Sequence, residues 1–425
     1  LLAAGLPSRA QAQTPTPCAQ EVIVQTGDTL STIAAATLGN QQAYQRIVDA
    51  TNAQAAVDAS FARIADANSL AVGWKLCIPP APLPGGAAAP STPDPLRLDT
   101  PAVDDLLELG DAATPINAAL AARAGPDGIH PLTIDYLRRQ PYPGSAFTVE
   151  QTLDPGSNYT RAVVSYRSEG LKINALLTVP VGPRPPSGWP VVIFNHGYVP
   201  PTQYRSDERY MAYVDAFARA GYLVLRPDLR GHGASEGKAR GAYGDPGYMI
   251  DVLNAVASIK QYPDADPNRI GMWGHSMGGY LTLRAMVVSG DIQAGVIWAG
   301  VVASYADLLS LWADFAGLNI SQQAREWQAA LVETYGTPQT NPDFWNAISA
   351  NSYLDDLSGP VQLHHGLSDA VVPKLFSDLL YQEILSAGKP AEYYIYAGDD
   401  HNLARNFETA MARSVAFMDA HVKGE

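Results

Sequence analysis

Residues 269–280 read Arg269-Ile270-Gly271-Met272-Trp273-Gly274-His275-Ser276-Met277-Gly278-Gly279-Tyr280. Arg269–Trp273 has the character of a buried strand, and Tyr280–Val288 has the pattern of a helix. Between them lies Gly-x-Ser-x-Gly. A serine displayed on a tight strand-to-helix turn needs both flanking elements, and it needs glycines beside it where backbone approaches backbone. Without that context the motif is only a glycine-rich turn. With it, Gly274–Gly278 reads as a nucleophile elbow carrying Ser276.

A serine hydroxyl is a poor nucleophile at neutral pH and requires a base held by a carboxylate. The expected chain order is serine, acid, histidine. Four of the eight histidines follow Ser276: His364, His365, His401 and His421. His364 and His365 stand at a strand end ahead of the candidate acid and fit the order badly. His421 falls on the terminal helix. His401 lies in Gly398-Asp399-Asp400-His401, after strand Tyr393–Ala397, and is the expected base. Asp369 lies in the loop after strand Pro360–Leu363 and is the expected acid. Asp399 and Asp400 adjoin His401 in sequence and suit its Nδ1 poorly. The tetrahedral intermediate needs N–H donors. The backbone of Met277, next to the nucleophile, is one candidate. The backbone of Tyr198, in His196-Gly197-Tyr198 after strand Pro190–Phe194, is the other. His196 reads as structural, and Asp228–Ser235, with His232, reads as scaffold.

Around these segments strand and helix alternate with short connections. Arg161–Tyr166 and Leu171–Val179 form a hairpin about Ser168-Glu169-Gly170. Helices are expected at Asp207–Ala220, Ile250–Lys260, Pro373–Ala387 and Asn406–His421, and strands at Gly221–Arg226 and Ala294–Trp298. The pattern predicts a mostly parallel sheet with helices on both faces. Four motifs occur in order: His196-Gly197; Asp228-x-Arg230-Gly231-x-Gly233-x-Ser235; Gly274-His275-Ser276-x-Gly278-Gly279; and His365-Gly366-x-x-Asp369-x-x-Val372-Pro373. Together they resemble the α/β-hydrolase superfamily, and most of all the prolyl oligopeptidase catalytic domain and its esterase relatives, over residues 147–425. Residues 302–358 are an insertion relative to a minimal hydrolase and read as a helical lid over Ser276. Its aromatics, among them Tyr305, Trp312, Phe315, Trp327 and Trp345, either line an acyl pocket or form the lid's own core.

The N-terminal part is of another kind. Val24-x-x-Gly27-Asp28-Thr29-Leu30-x-x-Ile33-Ala34 and Leu70-x-Val72-Gly73-Trp74-x-Leu76-Cys77-Ile78-Pro79 flank an amphipathic helix at Gln41–Asn52. Residues 18–80 resemble a small α+β LysM domain, of order strand–helix–helix–strand, with Ala53–Asn68 longer than usual. The resemblance implies binding of N-acetylglucosamine glycans, peptidoglycan or chitin. The contacts are placed at Gly27, Asp28, Thr29 and Asn52. Because the terminal strands pair in that fold, Cys18 and Cys77 are expected to form a disulfide. Pro79–Pro95 holds seven prolines in 17 residues and reads as a tether, with the linker at 81–100. In an extension at 101–146, Ala102–Gly110 and Ala118–Ala124 look helical. Residues 1–17, with apolar Leu1–Leu6 and then Ala10-Gln11-Ala12, resemble the end of a secretory signal. A secreted or cell-wall location also suits the cysteine pair.

Composition bounds the rest. The 425 residues are 47% apolar and 16% charged, as in globular proteins, with a formal charge of −14. Phosphate-bearing partners would be repelled, so nucleic acid is not expected. No internal apolar run is long enough to cross a bilayer. Two cysteines cannot complete a structural zinc site; no metal or cofactor motif is present, and the chemistry requires neither. The resemblance implies two activities, since true prolyl oligopeptidases carry a β-propeller. Fewer than 70 residues separate linker from hydrolase here, which favours an esterase acting on small or polymer-linked esters over a peptidase. A glycan-binding protein with an inert hydrolase domain is the reading of a different class. The complete Ser276, Asp369 and His401 set argues against it.

Overall fold

A computed structural model describes residues 18–25, 30–38, 44–55, 57–58, 60–64, 70–79, 129–316 and 322–424. They fall in two compact units, divided between Thr92 and Pro93. The expected helices at 102–110 and 118–124, and the glycan candidates Gly27, Asp28 and Thr29, lie outside the described residues.

In the first unit, β1 (Gln20–Ile23) pairs antiparallel with β2 (Lys75–Ile78), with Glu21 opposite Cys77. Helices Leu30–Leu38 and Tyr44–Ala55 connect them, in the order read from sequence. Their spaced apolar residues make one core: Leu30, Ile33, Ala34, Ile47 and Val48 close on Leu76 and Ile78. The buried Thr51 hydroxyl accepts the N–H of Cys77 at 2.9 Å. The Asn52 amide is spent inside the unit. It accepts from the N–H of Ile64 at 2.8 Å and donates to its carbonyl at 2.9 Å. Cys18 and Cys77 form a disulfide across a separation of 59 residues.

The second unit is built on one nine-stranded sheet. After β3 (Thr148–Leu153) come β4 (Tyr159–Ser168), β5 (Leu171–Pro180), β6 (Trp189–Asn195), β7 (Leu223–Pro227) and β8 (Ala265–His275). The last three are β9 (Ala294–Trp298), β10 (Val361–Gly366) and β11 (Ala391–Tyr396). Their order is β11-β10-β9-β8-β6-β7-β5-β4-β3. Pairings from β7 through β11 are parallel. The β3–β4, β4–β5 and β5–β7 pairs are antiparallel. The β4–β5 hairpin turns at Glu169 and Gly170, both at positive φ, as its right-handed twist prefers. β3 was not legible because its sequence, Thr-Val-Glu-Gln-Thr-Leu, is nearly all exposed at the sheet edge. Helices cover both faces. Gly247–Ile259 and Met277–Val288 pack in one core, and Met211–Arg219 and Phe407–Met418 in the other.

Two sequence expectations are corrected here. The helix expected at Asp207–Ala220 starts only at Met211. Buried Arg226, on β7, donates to the carbonyls of Ser206 and Arg209 and holds that stretch as a loop. Arg209 and Tyr210 take positive φ there, 44° and 54°. In the insertion, helices span Tyr305–Ala316, Gln322–Tyr335 and Pro342–Ile348. Tyr305, Leu308, Trp327, Leu331 and Trp345 are buried in the core shared with helix Met277–Val288, so these side chains pack with the main core and not in one of the insertion's own; the side chains of Trp312 and Phe315 lie outside the described residues. Arg284, on that helix, donates to the carbonyls of Ile348 and Leu132 at 2.5 and 2.6 Å. It thereby ties both the insertion and the residues preceding helix Ile134–Arg139 to the element that follows Ser276.

A unit of about 60 residues has a marginal core, so its cross-link carries weight. Replacing Cys18 and Cys77 by serine is expected to lower the stability of the first unit by about 4 kcal/mol on chain-entropy grounds. Calorimetry should show its transition falling while that of the second unit stays in place.

Candidate active site

The parallel strands β6, β8, β10 and β11 end on one side of the sheet, and the loops after them carry Tyr198, Ser276, Asp369 and His401 in turn. Ser276 follows β8 and caps helix Met277–Val288 with φ 55° and ψ −118°. For a non-glycine residue this is strained backbone. Strand β9, the loop beyond it and the helix's first turn hold it: Ser276 N–H donates to the Trp298 carbonyl at 3.0 Å, and its own carbonyl accepts from Val301 and Gly279. The flanking glycines are sterically required. A Cβ on Gly274 would stand 2.2 Å from the Gly278 carbonyl oxygen, and one on Gly278 would stand 2.0 Å from that of Asn195.

Asp369 lies in the turn after β10, with a fully buried carboxylate. Its Oδ1 accepts the N–H groups of Val371 and Val372 at 2.8 and 2.9 Å. Its Oδ2 accepts from Nδ1 of His401 at 2.8 Å. Burial alone raises the carboxyl pKa, but the charge of His401 and hydrogen bonds from His365 and His401 outweigh it and hold the group well below the usual carboxylate range. His401 is therefore fixed with its proton on Nδ1. Its Nε2 is buried and has no hydrogen-bond partner among the described residues. Asp399, the nearby competitor, accepts from the backbone of Arg405 and Asn406 instead. Met277 opens its helix, so its N–H belongs to a first turn without intrahelical acceptors. Tyr198 follows β6 in the loop alongside, where the backbone of Asn195 and His196 touches Gly278.

Sequence reasoning missed three side chains at this site. His275 donates from Nε2 to the His401 carbonyl at 2.9 Å and accepts at Nδ1 from the Tyr210 hydroxyl at 2.8 Å. Tyr210 in turn accepts the N–H of Gly197 at 3.0 Å. One chain of hydrogen bonds thus joins the loops of the serine, the histidine and Tyr198. Burial lowers the His275 pKa to about 3, with His401 adding to the effect, so the ring stays neutral and can accept. The third is His365, whose Nε2 lies 3.1 Å from Asp369 Oδ2. His275 and His365 both stand inside the quoted motifs, so a signal existed. Tyr210 carried none, because it sat within a stretch that reads as helix. His196 and His232 pack against each other at 5.7 Å, and His196 Nδ1 lies 2.6 Å from the Gly197 carbonyl, a structural place.

The profile of the Prolyl oligopeptidase family matches residues 208–425. The chain belongs to the prolyl oligopeptidase family. A LysM domain matches residues 22–79, so this is a serine hydrolase of that family joined to a LysM domain. That domain and the disulfide suggest glycan binding and an extracellular or cell-wall setting. No helix among the described residues is long and apolar enough to cross a membrane. The uncharacterised peptidase YtmA of Bacillus subtilis is 26% identical over 251 residues, 58% of this chain and 88% of that protein. Among solved structures, the acylaminoacyl peptidase of Pyrococcus horikoshii aligns at TM-score 0.50 and 22% identity, covering 63% of this chain and 42% of that one. Acetyl xylan esterase 1 from Thermoanaerobacterium sp. aligns at TM-score 0.51 and 17% identity, covering 75% and 98%. Both likenesses are of fold. This member of the prolyl oligopeptidase family spans less than half of the Pyrococcus enzyme.

Five buried histidines set an acid limit on stability. Burial lowers His196, His275 and His364 to about 3, and His130 and His232 to about 4. Their contribution is complete above the unfolded value near 6.5 and is lost as pH falls toward the folded values. Asp228, raised to about 6 by burial, works in the opposite sense. Asp251 and Glu383, also raised by burial, act with it. With five histidines set against three carboxyls, unfolding near pH 5 should take up protons on balance, and stability should fall as the pH is lowered from 7 to 4. Chemical denaturation across pH 4–7 measures it.

Proposed function

We propose that the protein is an extracytoplasmic carboxylic ester hydrolase acting through Ser276, His401 and Asp369, held on N-acetylglucosamine-containing cell-wall glycan by its LysM domain. The observation that carries this reading is the buried Asp369–His401 hydrogen bond. It leaves Nε2 of His401 as the unoccupied nitrogen of the ring, at the loops that surround Ser276. Apo sites commonly tighten the serine–histidine contact only when substrate binds.

Ser276 Oγ attacks the carbonyl carbon while its proton passes to His401 Nε2, and the C–O π pair moves onto the carbonyl oxygen. The N–H groups of Met277 and Tyr198 receive that oxyanion. Asp369 stabilises the imidazolium. Collapse of the intermediate expels the alcohol, which takes the proton from His401, and leaves an acyl-enzyme. Water, deprotonated by the same His401, then releases the acid and restores Ser276. The ester preference rests on the span between residues 80 and 147, too short for the β-propeller that filters substrate in the family's oligopeptidases. Acetyl or feruloyl groups carried by polysaccharide suit an enzyme held at a wall. The second reading is a peptidase, favoured by the similarity to YtmA along most of that protein's length.

A panel of p-nitrophenyl esters, feruloyl esters and aminoacyl-anilides separates the two. Ester turnover is expected to exceed anilide turnover, and Ser276→Ala to reduce it by about 10⁴-fold or more. Anilide turnover above ester turnover would reverse the preference. Sedimentation with insoluble peptidoglycan or chitin is expected to carry the whole chain down and to lose the protein when residues 1–80 are deleted. Equal recovery would remove the targeting role.

A further inference from the structure

We propose that His365 is a positioning residue that tunes the basicity of His401 through the shared oxygen Oδ2 of Asp369; the proposal rests on the triad reading above. His365 lies on β10, four residues before Asp369, and is completely buried. Its Nε2 is 3.1 Å from Oδ2 of Asp369 and 3.1 Å from the carbonyl of Val372. Its Nδ1 is 2.7 Å from the hydroxyl of Ser377, on helix Lys374–Ser386. Two acceptors at Nε2 require a proton there, and the Ser377 hydroxyl anchors the ring at Nδ1. With Oδ1 of Asp369 occupied by two backbone N–H groups, Oδ2 is left to two imidazoles at once.

The sharing has a chemical consequence. A carboxylate raises the basicity of a histidine by stabilising its cation. A second donor on the same oxygen already satisfies part of that negative charge, which weakens its pull on His401. His365 therefore keeps His401 free of its proton to lower pH than an unshared carboxylate would. It also fixes the rotation of Asp369, and with it the Nδ1–H tautomer of His401.

The other titratable groups around His401 are otherwise engaged. The His275 ring, from β8, lies 4.5 Å away and donates to the His401 carbonyl. Asp399 and Asp400, on its own loop, accept from backbone N–H groups of residues 402–406. Tyr213, from helix Met211–Arg219, donates to the next carbonyl, that of Asn402. Among the described residues, His365 is the one other side chain recorded at Oδ2.

The test is kcat/KM against pH for the full chain, its His365→Leu, His365→Gln and Ser377→Ala variants, with a p-nitrophenyl ester or an aminoacyl-anilide, whichever it turns over. In His365→Leu the acid limb is expected to move upward by on the order of half to one pH unit, with the loss at the plateau in kcat rather than KM. In His365→Gln, whose amide N–H can reach Oδ2, the limb should return toward the wild type. A folded His365→Leu whose limb is unmoved or shifted downward would overturn the proposal. Should that variant not fold, Ser377→Ala decides: loss of the hydroxyl that anchors the His365 ring at Nδ1 is expected to loosen its hold on Oδ2 and move the limb upward, and an unmoved limb overturns the proposal. The triad reading fails separately, if Ser276→Ala retains wild-type turnover.

Discussion

The backbone of Ser276 is the constraint on which the rest of the site depends. At φ 55° and ψ −118° it is strained, and it persists because strand β8 enters on one side and the helix leaves on the other. Gly274 and Gly278 are there because any Cβ would strike backbone. The price of that turn is met by hydrogen bonds to Trp298 and Val301 from the next strand and the loop beyond it. The loop after β6 can then lie against Gly278, and the loop after β11 against His275. A serine at this point is presented by the sheet as a whole and not by a flexible loop.

Around that turn the polar groups are buried and yet largely paired. The relay Gly197–Tyr210–His275–His401 runs in a single direction, each group donating to the next acceptor or receiving from the previous donor. It works only while His275 is neutral, and burial ensures that. Asp369 is the opposite case, since its ionised form is stabilised by four donors. Nε2 of His401 is one of several buried polar atoms around the turn without a partner among the described residues, with Oδ1 of Asn195, Nε2 of His196 and Nε1 of Trp273; what sets it apart is that its other ring nitrogen is held by the ionised Asp369.

Much of this was legible in the sequence. Gly-x-Ser-x-Gly between strand and helix, with Asp369 and His401 following strand ends in order, places three residues on one sheet edge by topology alone. The alternation of apolar runs predicts the parallel sheet from β6 onward. What escaped did so for physical reasons. β3 has no apolar face, because it lies at an edge and is solvent-exposed. Residues 207–210 have helical spacing, but tertiary hydrogen bonds from Arg226 override it. Tyr210 is reachable only through that override. Asn52 carries no local mark that its amide is used by Ile64, 12 residues later.

Ser276 is the proposed nucleophile, with His401 as its base and Asp369 as the ionised acid. Incubating the folded protein with a fluorophosphonate and mapping the adduct by peptide mass spectrometry addresses that role directly. A single adduct on Ser276 is expected, formed slowly or not at all when Asp369 is replaced by asparagine. A folded protein that stays unlabelled, or a label on any other residue, would contradict that role.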